Sequence, residues 1–324
     1  MADGVLKQIV KNVKYGMLPR NFKIEEDEKS AVRFAPGAMD GSVLFHCQNV
    51  EKYDAAEKIA GLLKEIFGID AELSNERKKA VRNEIKELVV KNRCVGIVNP
   101  LISLLCDDID SYNLVRLHTY AEVTLTDSRE VEMVKLAVSL MSLFEHDDDN
   151  LINKLMYLSL YEELTIYCIG ALGSLPDFNE VVFGMAERMH GWGKIHAVNK
   201  LVPETEEIRR WILSRGCTNT VSDEYLALVC AEKGDMIGEL RKEKLDKDVF
   251  EGICIIMNAL IEEEIMQGLH VYEDAEEALV LFIRHGVSFY GKTSYARDSL
   301  MRLKMWFLKN DWKNKAELLE MLPE

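Results

Sequence analysis

Glu187, His190 and His196 form the best local constellation of potential metal ligands in the chain. Glu187 and His190 are three residues apart, which places both on one face of a helix. His196 follows beyond Gly191-Trp192-Gly193, a turn that could fold it back. A carboxylate with two imidazoles suits a transition metal. The same residues also have a purely structural reading: His190 at a helix C-terminus, Trp192 packed between helices, His196 hydrogen-bonded within the turn. A second acidic group, Glu145-His146-Asp147-Asp148-Asp149, lacks the spaced ligands and glycine of a calcium loop. There Asp148 or Asp149 reads as the N-cap of the next helix. The seven cysteines contain no C-x-x-C pair, and Cys168, Cys230 and Cys254 sit in apolar helical patterns. With no secretory signal, reduced thiols in a cytoplasmic protein are expected. There is no G-x-S-x-G, P-loop, H-E-x-x-H or strand-borne G-x-G-x-x-G. The expectation is therefore no catalytic residues and no cofactor, with Glu187, His190 and His196 as the weak metal candidates.

The segment from Phe183 through Gly184-Met185-Ala186-Glu187-Arg188-Met189-His190-Gly191-Trp192 to His196 is distinctive, as is its continuation from Thr205 through Arg209-Arg210-Trp211 to Gly216-Cys217-Thr218-Asn219. Together they resemble a family of bacterial proteins, some of which carry the label limonene hydroxylase. The resemblance covers about residues 183–235, implies a helical-repeat fold and transfers no catalytic residues. Hydroxylation of an unactivated carbon requires haem, non-haem iron or flavin. Cys217 lacks the glycine-rich loop and upstream phenylalanine of a haem-thiolate ligand. Glu187-Arg188-Met189-His190 is a single Glu-x-x-His where a di-iron bundle needs two.

The chain has 324 residues and a net charge of −15, a balance that disfavours nucleic acid as a partner. Basic residues nevertheless gather in two places. Lys292, Arg297, Arg302, Lys304, Lys309, Lys313 and Lys315 interleave with Tyr290, Tyr295, Trp306 and Trp312, and a second basic helix carries Arg77, Lys78, Lys79, Arg82 and Lys86. Basic residues among aromatics suit an anionic ligand or a nucleic-acid strand. Helical solenoids that act as alkylpurine DNA glycosylases exist, which keeps that enzyme class beside the hydroxylase as an alternative. The simpler reading packs Trp306 into a last repeat and leaves both basic stretches solvated. Residues 262–277 are the reverse, acidic without one base. The longest apolar runs, such as 252–260, are too short to cross a bilayer, so a soluble protein is expected.

These side chains must be positioned by helices. Only six prolines interrupt the chain, and apolar residues recur at three- and four-residue spacing from Glu51 onward. The pattern predicts a helix near 4–15, then helices over about 51–67, 73–92, 98–107, 112–125, 129–145, 149–158, 161–173, 178–190, 193–201, 205–215, 222–233, 247–263, 274–285, 294–309 and 314–321. Ser74, Ser128 and Ser222-Asp223 read as N-caps; Gly173, Gly191, Gly216, Gly234 and Gly286 read as closing residues. Residues 17–50 look irregular or hairpin-like, with Val32-Arg33-Phe34 and Val43-Leu44-Phe45 flanking Pro36-Gly37 and Asp40-Gly41.

A degenerate repeat of roughly 44–46 residues runs through the centre: Asn153-Lys154-Leu155 with Asn199-Lys200-Leu201, Glu162-Glu163-Leu164 and Tyr167 with Glu206-Glu207-Ile208 and Trp211, and Ala186-Glu187-Arg188 with Ala231-Glu232-Lys233. Periods in the forties over helical segments belong to HEAT or armadillo solenoids. The expected fold is all-α, a HEAT/armadillo-like α-α superhelix of stacked helix pairs over 51–324, with 1–50 packed on it. The expected function is a non-catalytic protein- or peptide-binding scaffold, with Trp192, His196 and Trp211 as binding candidates.

Overall fold

A computed structural model describes residues 3–25 and 34–323. Among the described residues there are 18 α-helices and no strand, only two isolated bridges, Lys14 with Met17 and Gly68 with Tyr112. No helix among them is long and apolar enough to cross a membrane. The chain divides into two compact units, Met1–Ala197 and Val198–Glu324.

The first unit contains α1 (Val5–Asn12), α2 (Ala38–His46), α3 (Tyr53–Phe67), α4 (Asn75–Asn92), α5 (Cys94–Asp107), α6 (Leu114–Asp127), α7 (Val131–Met141), α8 (Asp149–Ser159), α9 (Thr165–Ala171), α10 (Phe178–Arg188) and most of α11 (Gly191–Lys200). Alternate helices pack side by side, α3 on α5, α5 on α7 and α7 on α9. Helix α6 lies along α7, and α1 packs on α6 and α8. Local chemistry explains several boundaries. Ser74 Oγ accepts from Arg77 N at 3.2 Å, Asn113 Oδ1 from Arg116 N at 3.1 Å and Asp148 Oδ1 from Asn150 N at 3.0 Å. Such caps contribute about 1 kcal/mol each. Pro100 lies inside α5 and has no N–H to offer Gly96; the Gly96 carbonyl instead accepts from Lys52 N at 2.8 Å, which ties the start of α3 to α5.

The expected hairpin is replaced by α2. Val43, Leu44 and Phe45, read as an extended arm, are helical, while Val32 and Arg33 lie outside the described residues. The glycines of this segment serve helix docking rather than a β-turn. Gly191 does not close a helix: with φ 50 it opens α11. Gly286 lies inside its helix against Leu300.

The second unit contains α12 (Glu206–Trp211), which runs into a π-helical turn (Ile212–Gly216), then α13 (Glu224–Lys233), α14 (Met236–Leu240), α15 (Lys247–Leu260), α16 (Ala275–Phe289), α17 (Ser294–Lys309) and α18 (Lys315–Met321). Here too alternate helices stack, α13 on α15 and α15 on α17, with α14 on α16 and α16 on α18. The acidic and basic stretches partly neutralise one another, Arg302 pairing with Glu262 at 3.2 Å and Lys313 with Glu276 at 2.8 Å, while Arg241 from outside both pairs with Glu277 at 2.6 Å. Trp306 is buried, edge-on to Phe307 and Trp312.

Lys233 supplies the chain with a C-cap from a distance. Its ammonium donates to the carbonyls of Asn199 at 2.7 Å, Leu201 at 2.9 Å and Val198 at 3.4 Å, closing the end of α11. A cation at these orphan carbonyls is favourable through both hydrogen bonding and the helix dipole. Lys233→Met should lower unfolding free energy by about 1–3 kcal/mol, measured by denaturant titration; a loss below ~0.5 kcal/mol would show that water satisfies the carbonyls equally well.

Candidate functional site

Helix α7 is buried along almost its whole length, from Val131 and Met133 through Met141. In its middle stands Lys135, with no exposed surface. An ammonium in such surroundings is tolerated only if its donors are satisfied and its charge is met. Both conditions hold. Lys135 Nζ donates to Asp40 Oδ2 at 2.6 Å, Glu163 Oε1 at 2.6 Å and Glu132 Oε1 at 2.9 Å. An ammonium has three N–H groups, so its capacity is filled. The ring of Tyr167 lies 5.6 Å away, and the Tyr167 hydroxyl donates to Asp40 Oδ2 at 2.7 Å.

Five elements converge to build this cluster. Asp40 comes from α2, Glu132 from α7, Glu163 from the turn before α9 and Tyr167 from α9. Arg93, between α4 and α5, brings Nη2 to 3.3 Å from Glu132, 3.5 Å from Glu163 and 3.7 Å from Asp40. Its backbone has φ 64 and ψ 141, a conformation that costs an L residue about 1–3 kcal/mol and persists only where surroundings enforce it. Backbone amides complete the carboxylates: Gly37 N donates to Glu163 Oε2 at 2.6 Å and Cys94 N to Glu132 Oε2 at 2.7 Å.

The electrostatics hold the charge state of the cluster fixed. Burial pushes the Lys135 ammonium down, but Glu132, Glu163 and Asp40 push it up further, so it stays protonated and cannot act as a base or nucleophile. Burial, reinforced by Glu132, pushes the Cys94 thiol far up; burial and Asp40 do the same to the Tyr167 phenol. Asp40, Glu132 and Glu163 are the one set of three metal-ligating side chains that converge within 4.8 Å among the described residues. Lys135 Nζ already sits within hydrogen-bonding distance of all three, in the place of a cation.

The binding candidates Trp192 and His196 lie beside this cluster. Trp192, 4% exposed, packs its ring on the backbone of Gly41, where a Cβ would come within 2.1 Å of the indole, and stands 5.8 Å from the Phe45 ring. His196 is buried at 6.4 Å from the Phe45 ring and 6.1 Å from Trp192. Burial holds its imidazole down at about 4, against the pull of Asp40. Trp211 is buried in the second unit. Glu187 is exposed, His190 half-buried and His196 buried, and their ligand atoms do not converge within 4.8 Å. Glu162 completes the neighbourhood: its Oε2 accepts from Trp192 N at 2.9 Å, and Gly191 has no room for a Cβ, which would lie 2.1 Å from that oxygen. Burial pushes the Glu162 carboxyl up to about 7, against the Trp192 N–H.

A groove of about 860 Å³ lies between α4 and α6, with Ile66, Phe67, Tyr120 and Met133 in its lining. One wall is Lys78, Arg82 and Lys86, spaced four apart on α4, which forms a single helical row. The facing wall is Val115, Thr119 and Val123 at the same spacing on α6, with Val115 77% and Val123 54% exposed. Arg82 stacks over Tyr120 at 5.6 Å, and Lys86 pairs with Glu130 at 2.7 Å. No ion pair among the described residues involves Lys78 or Arg82. Arg116 and Arg129 bring the lining to five cations against Asp127 and Glu130.

Sequence reasoning assigned the α4 row to solvent and passed over Lys135. A readable signal existed for each: the four-residue spacing of Lys78, Arg82 and Lys86, repeated by Val115, Thr119 and Val123, and a lone lysine inside Val131-Glu132-Met133-Val134-Lys135-Leu136-Ala137-Val138. No family model, curated protein or solved structure matches the chain.

Two outcomes follow from this geometry. Lys135→Met leaves three carboxylates facing one another and should cost about 3–5 kcal/mol; adding Asp40→Asn and Glu163→Gln should restore most of it, read by denaturant titration. Failure of the triple variant to recover would show that apolar packing, not charge, dominates. Because the folded value of Glu162 lies above the ordinary 4.5, its contribution is full below pH 4.5 and is lost as pH rises through about 7. His196 works oppositely, contributing above 6.5 and losing as pH falls through about 4. Glu162→Gln should therefore be more stable than the parent at pH 8 by on the order of 2 kcal/mol, the difference closing at pH 4. Equal stabilities at pH 8 would contradict it.

Proposed function

We propose that the protein is a non-catalytic helical-repeat scaffold of HEAT/armadillo type whose α4–α6 groove binds an acidic, amphipathic helical segment of a protein partner. The stacking of alternate helices in each unit supports the repeat. The observation that carries the binding reading is the pairing of two rows: Lys78, Arg82 and Lys86 opposite Val115, Thr119 and Val123. A helix lying between them would turn carboxylates at i, i+4 and i+8 toward α4 and aliphatic side chains toward α6, the helix-in-groove mode. Eight residues of helix advance about 12 Å, so three successive turns are read. Charge complementarity is local, since the chain as a whole is acidic. The like-charged remainder of the surface would repel misplaced acidic partners and so favour this one seat.

The saturated, protonated Lys135 and the deactivated thiol of Cys94 also favour binding over catalysis. Titration of labelled 18-residue helical peptides, with glutamates at four-residue spacing on one face and leucines on the other, tests the proposal by fluorescence anisotropy. Binding that weakens with salt, and a loss of at least ~10-fold on Lys78→Glu with Arg82→Glu, is expected. The charge reversals should cost little thermal stability, since no ion pair among the described residues involves either side chain and the Arg82 stack over Tyr120 is worth about 0.5–1 kcal/mol. No binding of the acidic peptides, or tighter binding of a DNA duplex through the same residues, would reject it.

A further inference from the structure

Helix α2 is held in an inverted manner. It carries Val43, Leu44 and Phe45, yet the residues it buries are Asp40 and Gly41, and Leu44 is 41% exposed. A helix docked by apolar burial would do the opposite. Specific contacts seat it instead: the Gly37 N–H on Glu163, Asp40 on Lys135 and Tyr167, and the Gly41 backbone against the Trp192 ring. The charge balance is equally informative. Asp40 is a third carboxylate around two cations. Without it, Lys135 and Arg93 still face Glu132 and Glu163, one anion for each cation. With it, Asp40 Oδ1 is buried without a hydrogen bond and has only Arg93 Nη2 at 3.7 Å. Removing one member of a buried ion pair usually strands a charge; withdrawing Asp40 strands none, and water entering the vacated seat can accept the hydrogen bond from the third ammonium N–H.

We propose that the seat of α2 is a recognition site for a helical turn bearing an aspartate followed by glycine, and that α2 fills it in cis as a detachable latch. The exchanging occupant is a segment of the same chemistry: a carboxylate to meet Lys135, a glycine immediately after it to pass the Trp192 ring, and an aromatic residue one turn on, as Phe45 stands now against Trp192 and His196. This site is separate from the α4–α6 groove and does not rest on it.

Hydrogen exchange on the full chain is the first test. The α2 amides should exchange by local opening at least ~100-fold faster than those of α7, which open only with the unit. The second test uses Gly41→Val in the full chain, which bars α2 from the Trp192 ring without changing any ionisable side chain. A labelled peptide of residues 34–48 with the parent sequence should bind that variant, bind the parent protein at least ~10-fold more weakly because the seat is filled, and lose at least ~10-fold on Asp40→Asn in the peptide. Common exchange of α2 and α7 in the parent, collapse of the first unit in Gly41→Val, or no difference between the two peptides would each overturn the proposal.

Discussion

The ammonium of Lys135 is the constraint around which the first unit is organised. A cation with no exposed surface has no water to fall back on, so its three donors must be met by protein. Meeting them draws Asp40 from α2, Glu132 from its own helix and Glu163 from the turn before α9 to one point. Those partners draw in further donors, the amides of Gly37 and Cys94 and the hydroxyl of Tyr167, and leave Asp40 Oδ1 without a hydrogen bond. Arg93 extends the network to the junction of α4 and α5 and is held there in a strained backbone conformation. A half-satisfied network of this kind would be worse than an apolar core, so the cluster specifies the arrangement as much as it stabilises it.

That organisation connects to binding through two shared helices. Helix α7 carries Glu132 and Lys135 into the cluster and Met133 into the groove lining; α4 ends at Arg93 and carries Lys78, Arg82 and Lys86 along the groove wall. The groove walls are thereby braced by ionic contacts that involve none of the three row cations. Among the described residues no carboxylate pairs with Lys78 or Arg82, the condition in which an external acidic partner gains most. Exposed valines opposite them add apolar area that the unit itself does not cover.

The helices were legible because apolar spacing and caps act over a few residues. Ser74 and Asp148 cap where their types and positions indicate. Helix α2 was not legible, since Pro36-Gly37 and Asp40-Gly41 resemble turns and the helix is selected by distant groups: Glu163 on the Gly37 amide, Lys135 on Asp40, Trp192 on Gly41. Of the repeat residues, Glu162 and Glu163 do cap helices, Glu162 Oε2 accepting from Trp192 N at the start of α11 and Glu163 Oε2 from Gly37 N at the start of α2. Glu163 and Tyr167 also join the Lys135 cluster, which the repeat does not announce. Lys135 shows why: its partners Asp40 and Glu163 are 95 and 28 residues away in sequence, a separation that no local pattern encodes. Trp192 and His196, named as binding candidates from sequence, flank the cluster and are buried against Phe45 of α2.

The central claim is that a protonated, three-fold hydrogen-bonded Lys135 occupies the meeting point of Asp40, Glu132 and Glu163. Nitrogen-15 NMR of lysine side chains reads this directly. The account predicts one ammonium resonance, lost in Lys135→Met, whose protons exchange slowly enough to be observed at pH 9 and which is unmoved by added magnesium or manganese. A Lys135 signal with the shift of a neutral amine, or one displaced by either metal, would contradict it.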